Sequence, residues 1–419
     1  MEFKKGSRFF LIITTQFIVC EMFCQNMNSP YSVYGIGDID HRPYNRTSGM
    51  GGTGLAMRSS YFLVDNNPAS IAGLTRSFYI VDAALTGKAI QYSGDPIDAG
   101  NSNNKDFWIK RLAVAVKLND HWASGVGFSQ FSNVNYNFFG TRSAEGSAGE
   151  YLTYYEGDGG LNEYYWNNAL SLGKHFSIGL KSSIIAGSIN QTETIASESL
   201  STPISTKVQD YFGRPRFQTG AIYSTALSKK WNVSIGGRFS PQVKMDAERT
   251  LTVSEGGIAV NEEEVLKTDR FSLPNTYAAG IALKHNNKAT FAVDYTYEDW
   301  SSLKIKQQGW QLVSSSKLSA GVEFSRQARH MNQLVEKRFF QIGGFLNSSY
   351  LQVSNEPIKE FGFTAGMGGV IGNGLLYTVA LEAGSRGTTQ QKLIKENYVQ
   401  VSFSFSFRDF LASKGRKYD

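Results

Sequence analysis

The feature that most constrains the fold is a long succession of segments, from about residue 77 onward, in which apolar residues occupy every second position. In the last segment the apolar positions are Val399, Val401, Phe403, Phe405 and Phe407. The polar positions that alternate with them are Gln400, Ser402, Ser404, Ser406 and Arg408. A period of two places successive side chains on opposite faces of a β-strand. One face is then suited to lipid and the other to a polar lumen.

Short polar turns and longer polar stretches separate these segments in alternation. Short turns are predicted at Asn119–Asp120, Gly173–Lys174, Lys229–Lys230, Asn286–Asn287 and Asn373–Gly374, with a longer charged turn over 327–336. The longer stretches are 92–104, 140–160, 196–210, 251–266, 301–312, 351–358 and 388–394. Short turns at one end and long loops at the other are typical of barrels in the outer membrane, where the short turns face the periplasm.

The stretches between these turns and loops predict about fourteen strands. They are 77–91, 105–118, 121–139, 161–172, 175–195, 211–228, 231–250, 268–285, 288–300, 313–326, 337–350, 359–371, 375–387 and 395–408. An even number returns both chain ends to the same side, and closure leaves no unpaired strand edge in lipid. The sequence therefore predicts an all-β protein, a transmembrane antiparallel β-barrel over residues 77–410. No later segment is apolar over the roughly 18 residues that a membrane-spanning helix needs, which excludes a helical membrane protein.

Aromatic residues and glycines add two finer expectations. Trp122, Phe176 and Trp231 are predicted to form a girdle at the short-turn side, with 164–166 (Tyr-Tyr-Trp) as its counterpart at the other side, because amphipathic rings prefer the membrane interface. Gly343–Gly344 and Gly368–Gly369 are candidate strand kinks.

The N-terminus has the pattern of a secretory signal peptide. Lys4, Lys5 and Arg8 precede the apolar run Phe9–Val19, which is too short to span a bilayer as a helix. We predict a signal peptide over residues 1–24 and localisation in the outer membrane of a Gram-negative cell, with the lipid bilayer as partner. Both cysteines, Cys20 and Cys24, lie in this segment, so the predicted mature chain forms neither a disulfide nor a thiolate metal site. Residues 411–419 are predicted to be a periplasmic tail.

Residues 25–76 do not alternate and are predicted to fill the barrel lumen as a plug, which we call the hatch. The segment combines glycines, including Gly51, Gly52 and Gly54, with scattered apolar residues. Glycine permits positive φ and close backbone packing. No G-x-x-x-x-G-K-[ST] sequence is present, which argues against a phosphate-binding loop.

Composition and motifs argue against an enzyme, a metalloprotein or a nucleic-acid binder. The net charge of +6 is modest for 419 residues, and the basic residues are scattered among turns and loops. The five histidines form no H-x-x-x-H, and neither C-x-x-C nor G-x-S-x-G occurs. We therefore predict no catalytic residues, no metal and no cofactor.

The chain resembles the FadL-type outer-membrane transporters of hydrophobic compounds, and relatives of that fold that serve as secretion-system partners. The resemblance lies in Met50–Gly54 (MGGTG) followed by Asp65–Ala69 (DNNPA), in Asp294–Ser301 (DYTYEDWS), in Leu273–Pro274 before a strand, and in 387–396 before the closing strand. It implies a fourteen-stranded barrel plugged by its N-terminal hatch. It also implies that Asn67, Pro68 and Ala69 form the hatch turn that blocks the passage.

Two functions follow from this resemblance. The leading hypothesis is a channel for passive uptake of a small hydrophobic ligand, gated by the hatch through Asn67–Ala69 and the glycines Gly51, Gly52 and Gly54. The alternative is a barrel that transports nothing and acts as an anchor or plug for a secretion-system partner or a surface-protein complex. A continuous apolar pocket with a lateral gap at a strand kink favours the first function. A filled polar lumen together with a large apolar loop surface favours the second.

Three residues of one strand are candidates for the lumen. Asp294, Glu298 and Trp300 share one parity, whereas Asp299 has the other. Two carboxylates on the inner face are expected either to contact a ligand or, as the favoured interpretation, to pair with luminal Lys or Arg and hold the shape of the barrel.

Overall fold

The computed structural model describes residues 29–76, 78–94, 102–143, 150–196, 202–260, 264–330, 333–371 and 374–410. The predicted signal peptide, the predicted tail and Asn373 of one predicted turn lie outside these residues.

The described residues form a closed barrel of fourteen antiparallel strands, which confirms the predicted architecture and strand number. The strands are β1 (Phe78–Ser93), β2 (Asn103–Lys117), β3 (Trp122–Ser143), β4 (Glu150–Leu172), β5 (Phe176–Ala196), β6 (Ile204–Ala226), β7 (Trp231–Ser240 continued by Val243–Glu255), β8 (Glu264–Leu273 continued by Thr276–His285), β9 (Ala289–Glu298), β10 (Ser315–His330), β11 (Gln333–Val353), β12 (Glu356–Ile371), β13 (Leu375–Arg386) and β14 (Lys395–Phe410). Each strand pairs with its neighbours in sequence, and β1 pairs with β14 from Phe78↔Phe410 to Ser93↔Lys395.

The interruptions in β7 and β8 have a common cause. Pro241 follows the first half of β7, and Pro274 follows the first half of β8. Proline has no N–H to donate to the ladder, so it is confined to interruptions and edges of a sheet.

The remaining elements are short. They are 3₁₀ helices at Pro30–Val33, Ser48–Met50, Pro68–Gly73, Trp300–Leu303 and Gln390–Lys392, and two- or three-residue strands at Asp38–Ile39, Ile258–Ala259, Lys306–Gln307 and Trp310–Leu312. No helix within the described part of the chain has the length and apolarity to cross a bilayer.

The predicted alternation of faces is observed. In β14, Val399, Phe405 and Phe407 are exposed on the outside, whereas the serines between them are buried towards the lumen. In β2, Leu112 and Val114 face outwards and the alanines beside them face inwards. The barrel therefore presents an apolar outer surface and a mostly polar inner surface, as lipid around a filled lumen requires.

Several predicted boundaries are wrong because strands of this barrel extend well beyond the apolar band. The predicted loop 140–160 is mostly strand, since β3 ends at Ser143 and β4 begins at Glu150. Residues 164–166 consequently lie inside β4 rather than at its long-loop end, and Tyr165 points into the lumen. The predicted turn 327–336 is likewise mostly strand.

A charge in the apolar band is expected to destabilise the barrel. Ile281 lies outside, mid-way along the second half of β8, between Ile235 and Val293. We expect Ile281→Arg to lower the unfolding free energy in lipid vesicles by about 2–4 kcal/mol, measured by urea titration, because the guanidinium is placed in hydrocarbon. Gln91→Arg, at the exposed loop end of β1, is the control and is expected to cost less than about 1 kcal/mol. Equal losses for the two variants would contradict the proposed placement of the band.

Candidate functional site: the hatch in the lumen

The described part of the hatch, residues 29–76, contacts strands on every side of the ring. Arg42 reaches β12 and β13, Asp65 reaches β2, and Asn67 reaches β6 and β7. A segment that touches opposite walls of a closed barrel through inward-facing side chains lies inside it. We therefore propose that the hatch lies in the lumen.

Buried ion pairs join the hatch to the wall. They are Asp38–Arg386 at 2.7 Å, Asp40–Lys110 at 3.1 Å, Arg42–Glu360 and Arg42–Glu382 at 2.7 Å each, Arg46–Glu323 at 2.7 Å, Arg46–Glu336 at 2.8 Å and Asp65–Arg111 at 2.5 Å. Burial would raise the pKa of the Asp40 carboxyl, but Lys110 and Arg42 beside it hold that pKa well below its usual range. Each pair fixes one point of the hatch, because separating it would leave a buried charge without a partner.

Arg46 shows how completely these charges are satisfied. Its Nε and Nη2 donate to both oxygens of Glu323, at 3.0 and 2.7 Å. Its guanidinium lies over the rings of Phe62 and Phe339, 4.7 and 4.3 Å from their centroids. The Gln341 amide donates to the Arg46 carbonyl and to Glu323. Such fork-shaped, stacked geometry is specific to arginine and tolerates little displacement.

Asn67, the first residue of the predicted hatch turn, clamps the hatch to two strands. Its side-chain oxygen accepts a hydrogen bond from Ala69 N–H, which caps the 3₁₀ helix Pro68–Gly73. Its amide nitrogen lies 2.9 Å from the carbonyl of Leu55, 3.1 Å from that of Ala221 in β6 and 3.0 Å from that of Gly237 in β7. Asn67, Pro68 and Ala69 are buried, so this motif is an anchor of the hatch against the wall.

The three predicted hatch glycines are required by conformation or by space. Gly51 and Gly52 adopt positive φ values of 69° and 80°, which other residues rarely adopt. A Cβ on Gly51 would also lie 2.4 Å from the Gly344 carbonyl oxygen of β11. A Cβ on Gly54 would lie 2.7 Å from the Asn66 side chain.

Asp294 binds the hatch, whereas the hydrogen bonds of Glu298 go to the barrel. Within the described residues, neither carboxylate forms an ion pair with a lysine or arginine of the wall, which the favoured interpretation expected. One oxygen of Asp294 accepts from Gly54 N–H at 2.6 Å and from Leu55 N–H at 2.9 Å. Glu298 accepts from Trp300 Nε1 at 2.7 Å and from Ser315 at 3.0 Å, and lies 3.8 Å from Nδ1 of His41. Asp294 thus holds the hatch in place, and Glu298 adds one longer contact, with His41 of the hatch.

Trp300, the third candidate, belongs to an apolar core that fills the long-loop end of the barrel. Its ring stacks on Tyr350 with centroids 4.6 Å apart and packs against Phe271 at 5.6 Å. Tyr31, Ile36 and Ile39 of the hatch are buried in the same cluster. The hatch therefore supplies part of the packing that closes this end.

The wall between β2 and β3 is closed in part by the hatch. Among the described residues, these strands pair from Arg111↔Ser129 to Lys117↔Ala123, and their long-loop halves separate above that point. The short strand Asp38–Ile39 pairs with Asn133 and Ser132 of β3, and Asp40 N–H donates to the Phe131 carbonyl. The hatch thus lines this seam from inside.

Glycines of the wall make room for the hatch, a role the sequence analysis missed. A Cβ on Gly220 would lie 2.0 Å from Asn67 Oδ1, and one on Gly236 would lie 2.0 Å from the Leu55 carbonyl oxygen. Gly343, a predicted kink, approaches Met50 of the hatch instead. The pairing of β11 and β12 runs without a register shift through both predicted glycine pairs, so neither pair carries a β-bulge.

A cavity between the hatch and the inner wall is small and polar. It has a volume of about 190 Å³. The charged side chains that line it are Asp40, Arg42, Asp65, Lys110, Arg111, Glu163, Lys181, Arg216, Arg238, Asp294, Glu298 and Lys317. No cluster of His, Cys, Asp and Glu with the geometry of a metal site occurs within the described ranges.

The comparisons with known proteins agree with this architecture. A family model described as BamG matches residues 7–419. The chain belongs to the BamG family. A search of curated protein sequences finds no match.

Solved structures similar to this BamG-family chain include three of the FadL type. The Ralstonia pickettii toluene transporter TbuX has 15% identity and a TM-score of 0.56, with 88% of this chain and 98% of that one covered. The Pseudomonas putida toluene transporter TodX has 13% identity and a TM-score of 0.58, covering 91% and 99%. A Pseudomonas aeruginosa FadL homologue has 12% identity and a TM-score of 0.58, covering 89% and 98%. These similarities confirm the FadL-like fold.

Two adjacent glycines allow a matched test of hatch docking. Gly236→Ala places a Cβ against the Leu55 carbonyl, whereas the nearest atom to a Cβ on Gly237 is 3.9 Å away. We expect Gly236→Ala to destabilise the docked hatch by about 1–3 kcal/mol through overpacking and to increase cleavage of the hatch by protease. Gly237→Ala is expected to behave like the wild type. Equal protease resistance of both variants would contradict the observed contact.

The Arg46–Glu323 pair provides a second test. We expect Arg46→Met to lower the unfolding free energy by about 3–5 kcal/mol, because Glu323 is then buried without its cation. The double variant Arg46→Met/Glu323→Gln should recover part of this loss, since the remaining group is neutral. Urea titration of the single and double variants measures both effects. Additive losses in the double variant would contradict a direct pair.

Proposed function

We propose that this chain is a sealed outer-membrane barrel that acts through its surfaces, as an anchor or plug for a surface-protein or secretion complex, and does not pass hydrophobic molecules. The observation that carries the proposal is the hatch itself. It is tied to opposite walls by buried ion pairs and contributes apolar side chains to the core at the long-loop end.

The remaining cavity does not suit a hydrocarbon. Sites for small organic ligands usually have volumes of about 300–1,000 Å³ and mostly apolar linings, whereas this one has about 190 Å³ and a charged lining. An apolar molecule there would displace water from ionised groups without offering them hydrogen bonds, which is unfavourable.

A second candidate function is passive uptake of a small hydrophobic compound after displacement of the hatch. It is supported by two structural neighbours that are toluene transporters. Opening would require separation of several buried ion pairs and loss of the Asn67 and Asp294 hydrogen bonds. Because each of these contacts holds the hatch closed, sealing is the better-supported function.

Reconstitution distinguishes the two functions. We expect the wild-type protein in planar bilayers to give no stable conductance, and in liposomes to take up toluene and oleate no faster than empty vesicles. A variant lacking residues 29–76 is expected to conduct ions, which shows that the assay detects an open lumen. If the deletion variant does not fold, the double variant Arg46→Met/Asp294→Ala replaces it in the assay, because the loss of these contacts loosens the hatch. Saturable uptake of either compound by the wild type would overturn the proposal in favour of transport.

A further inference from the structure

The rim at the short-turn end carries an uneven distribution of charge. Four neighbouring connections, between β4 and β5, β6 and β7, β8 and β9, and β10 and β11, bring eight exposed cations to one side of the ring. We call this set the basic arc: Lys174, Lys229, Lys230, Lys284, Lys288, Arg326, Lys337 and Arg338. In the sequence these residues are separated by up to about 160 positions, so the closed barrel alone brings them together.

The charge of the basic arc is not neutralised by acids of the described rim. Glu336 is the described acid beside it, and this carboxylate pairs with Arg46 of the hatch. Asp120 pairs with Arg76, and Asp409 follows Arg408, both on the other side of the rim. Within the described residues, no member of the basic arc forms an ion pair. The patch therefore keeps a net charge that an acidic surface can complement.

The connections that carry the arc are fixed relative to one another. Ser224 N–H donates to the His175 carbonyl at 2.8 Å, Asn286 N–H to the Lys230 carbonyl at 2.8 Å, and Ser325 N–H to the Lys288 carbonyl at 2.6 Å. Each hydrogen bond joins one short turn to the adjacent strand pair. A partner would therefore meet charges that are already positioned, which lowers the entropic cost of binding.

We propose that the basic arc is the docking site for an acidic surface of another protein on the short-turn side of the membrane, which is the periplasmic side. This inference rests on the proposed function, because it identifies the surface through which a sealed barrel would act. Two observations favour a protein over lipid headgroups. Headgroups surround the whole circumference, whereas the arc is confined to the part of the rim from β4 to β11. Lys174, Lys229 and Lys230 lie in the turns beyond the exposed aromatic residues Phe176 and Trp231.

Zero-length cross-linking tests the proposal. A water-soluble carbodiimide joins a lysine amine directly to a carboxylate, so in isolated outer membranes it reports contact between these two groups. We expect the lysines of the basic arc to be linked to Asp or Glu residues grouped on one protein. Lys229→Glu/Lys230→Glu/Lys288→Glu should lower the yield at the unchanged arc lysines Lys174, Lys284 and Lys337 at least about tenfold, since like charges then face each other. Substitution of the linked acids by lysine should restore capture by this variant.

The matched control reverses three exposed lysines at or beyond the opposite end of the barrel, as Lys207→Glu/Lys244→Glu/Lys306→Glu. It makes the same change in net charge and should leave the yield unchanged. Heat-dependent migration in gels establishes that both variants fold. Cross-links that are no more frequent at the arc than at the control lysines, or that are insensitive to charge reversal, would overturn the proposal. A second result would also overturn it: no cross-link forms, and phosphatidylglycerol in nanodiscs raises the thermal stability of the wild type but not of the arc variant. The arc would then bind lipid headgroups.

The two proposals fail in different ways. The arc variant leaves the hatch contacts intact and should remain without conductance. A conducting wild-type barrel with arc cross-links would overturn the sealed lumen alone, and a sealed barrel without them would overturn the docking site alone.

Discussion

Hydrocarbon offers no hydrogen-bond partner to the backbone, and this constraint determines the rest of the structure. Every strand in the membrane must be paired on both sides, so the sheet closes through β1 and β14. Closure of fourteen strands creates an interior that is too wide for their own side chains to fill. Every second side chain of each strand points into this interior, because side chains alternate between the two faces of a strand. The polar interior therefore needs either water or another part of the chain.

Here another part of the chain occupies it. The hatch brings Asp38, Asp40, Arg42, Arg46 and Asp65 against charges of opposite sign on the wall. Buried ion pairs add little stability compared with apolar packing, but breaking one is costly because a charge is left without a partner. Several such pairs on opposite walls resist displacement together, which is the physical basis for proposing a closed lumen in a fold whose structural neighbours include described transporters.

The barrel has three chemically different levels along its axis. The long-loop end is packed with apolar and aromatic side chains, the middle holds the ion pairs and the small polar cavity, and the short-turn rim carries the basic arc. With the first two levels filled by the chain itself, the outer surfaces are the parts left to meet other molecules. Among these surfaces, the short-turn rim is distinguished by a positive charge that its described acidic residues do not neutralise.

Properties that depend on neighbours in sequence could be read from the sequence. Alternation in segments such as 399–408 and polar pairs such as Asn286–Asn287 were enough to predict the strand number, the faces and the short turns, because the period of a strand and the geometry of a turn are local. The glycines of the hatch could be singled out for a similar reason, since positive φ is local. Asn67 was singled out by the resemblance of its motif to the FadL-type hatch.

Properties that depend on distant residues were decided by the tertiary structure. The partners of Asp294 are the amides of Gly54 and Leu55, about 240 positions away, so its role as a hatch contact could not be distinguished from pairing with a wall cation. Gly236 is needed because the Leu55 carbonyl approaches it, and the basic arc exists because four separated turns meet on one rim. Sequence by itself determined that this chain forms a barrel with a hatch. The tertiary structure decided which side chains hold that hatch and where uncompensated charge gathers. Both depend on closure of the sheet, because only closure places distant residues within contact distance.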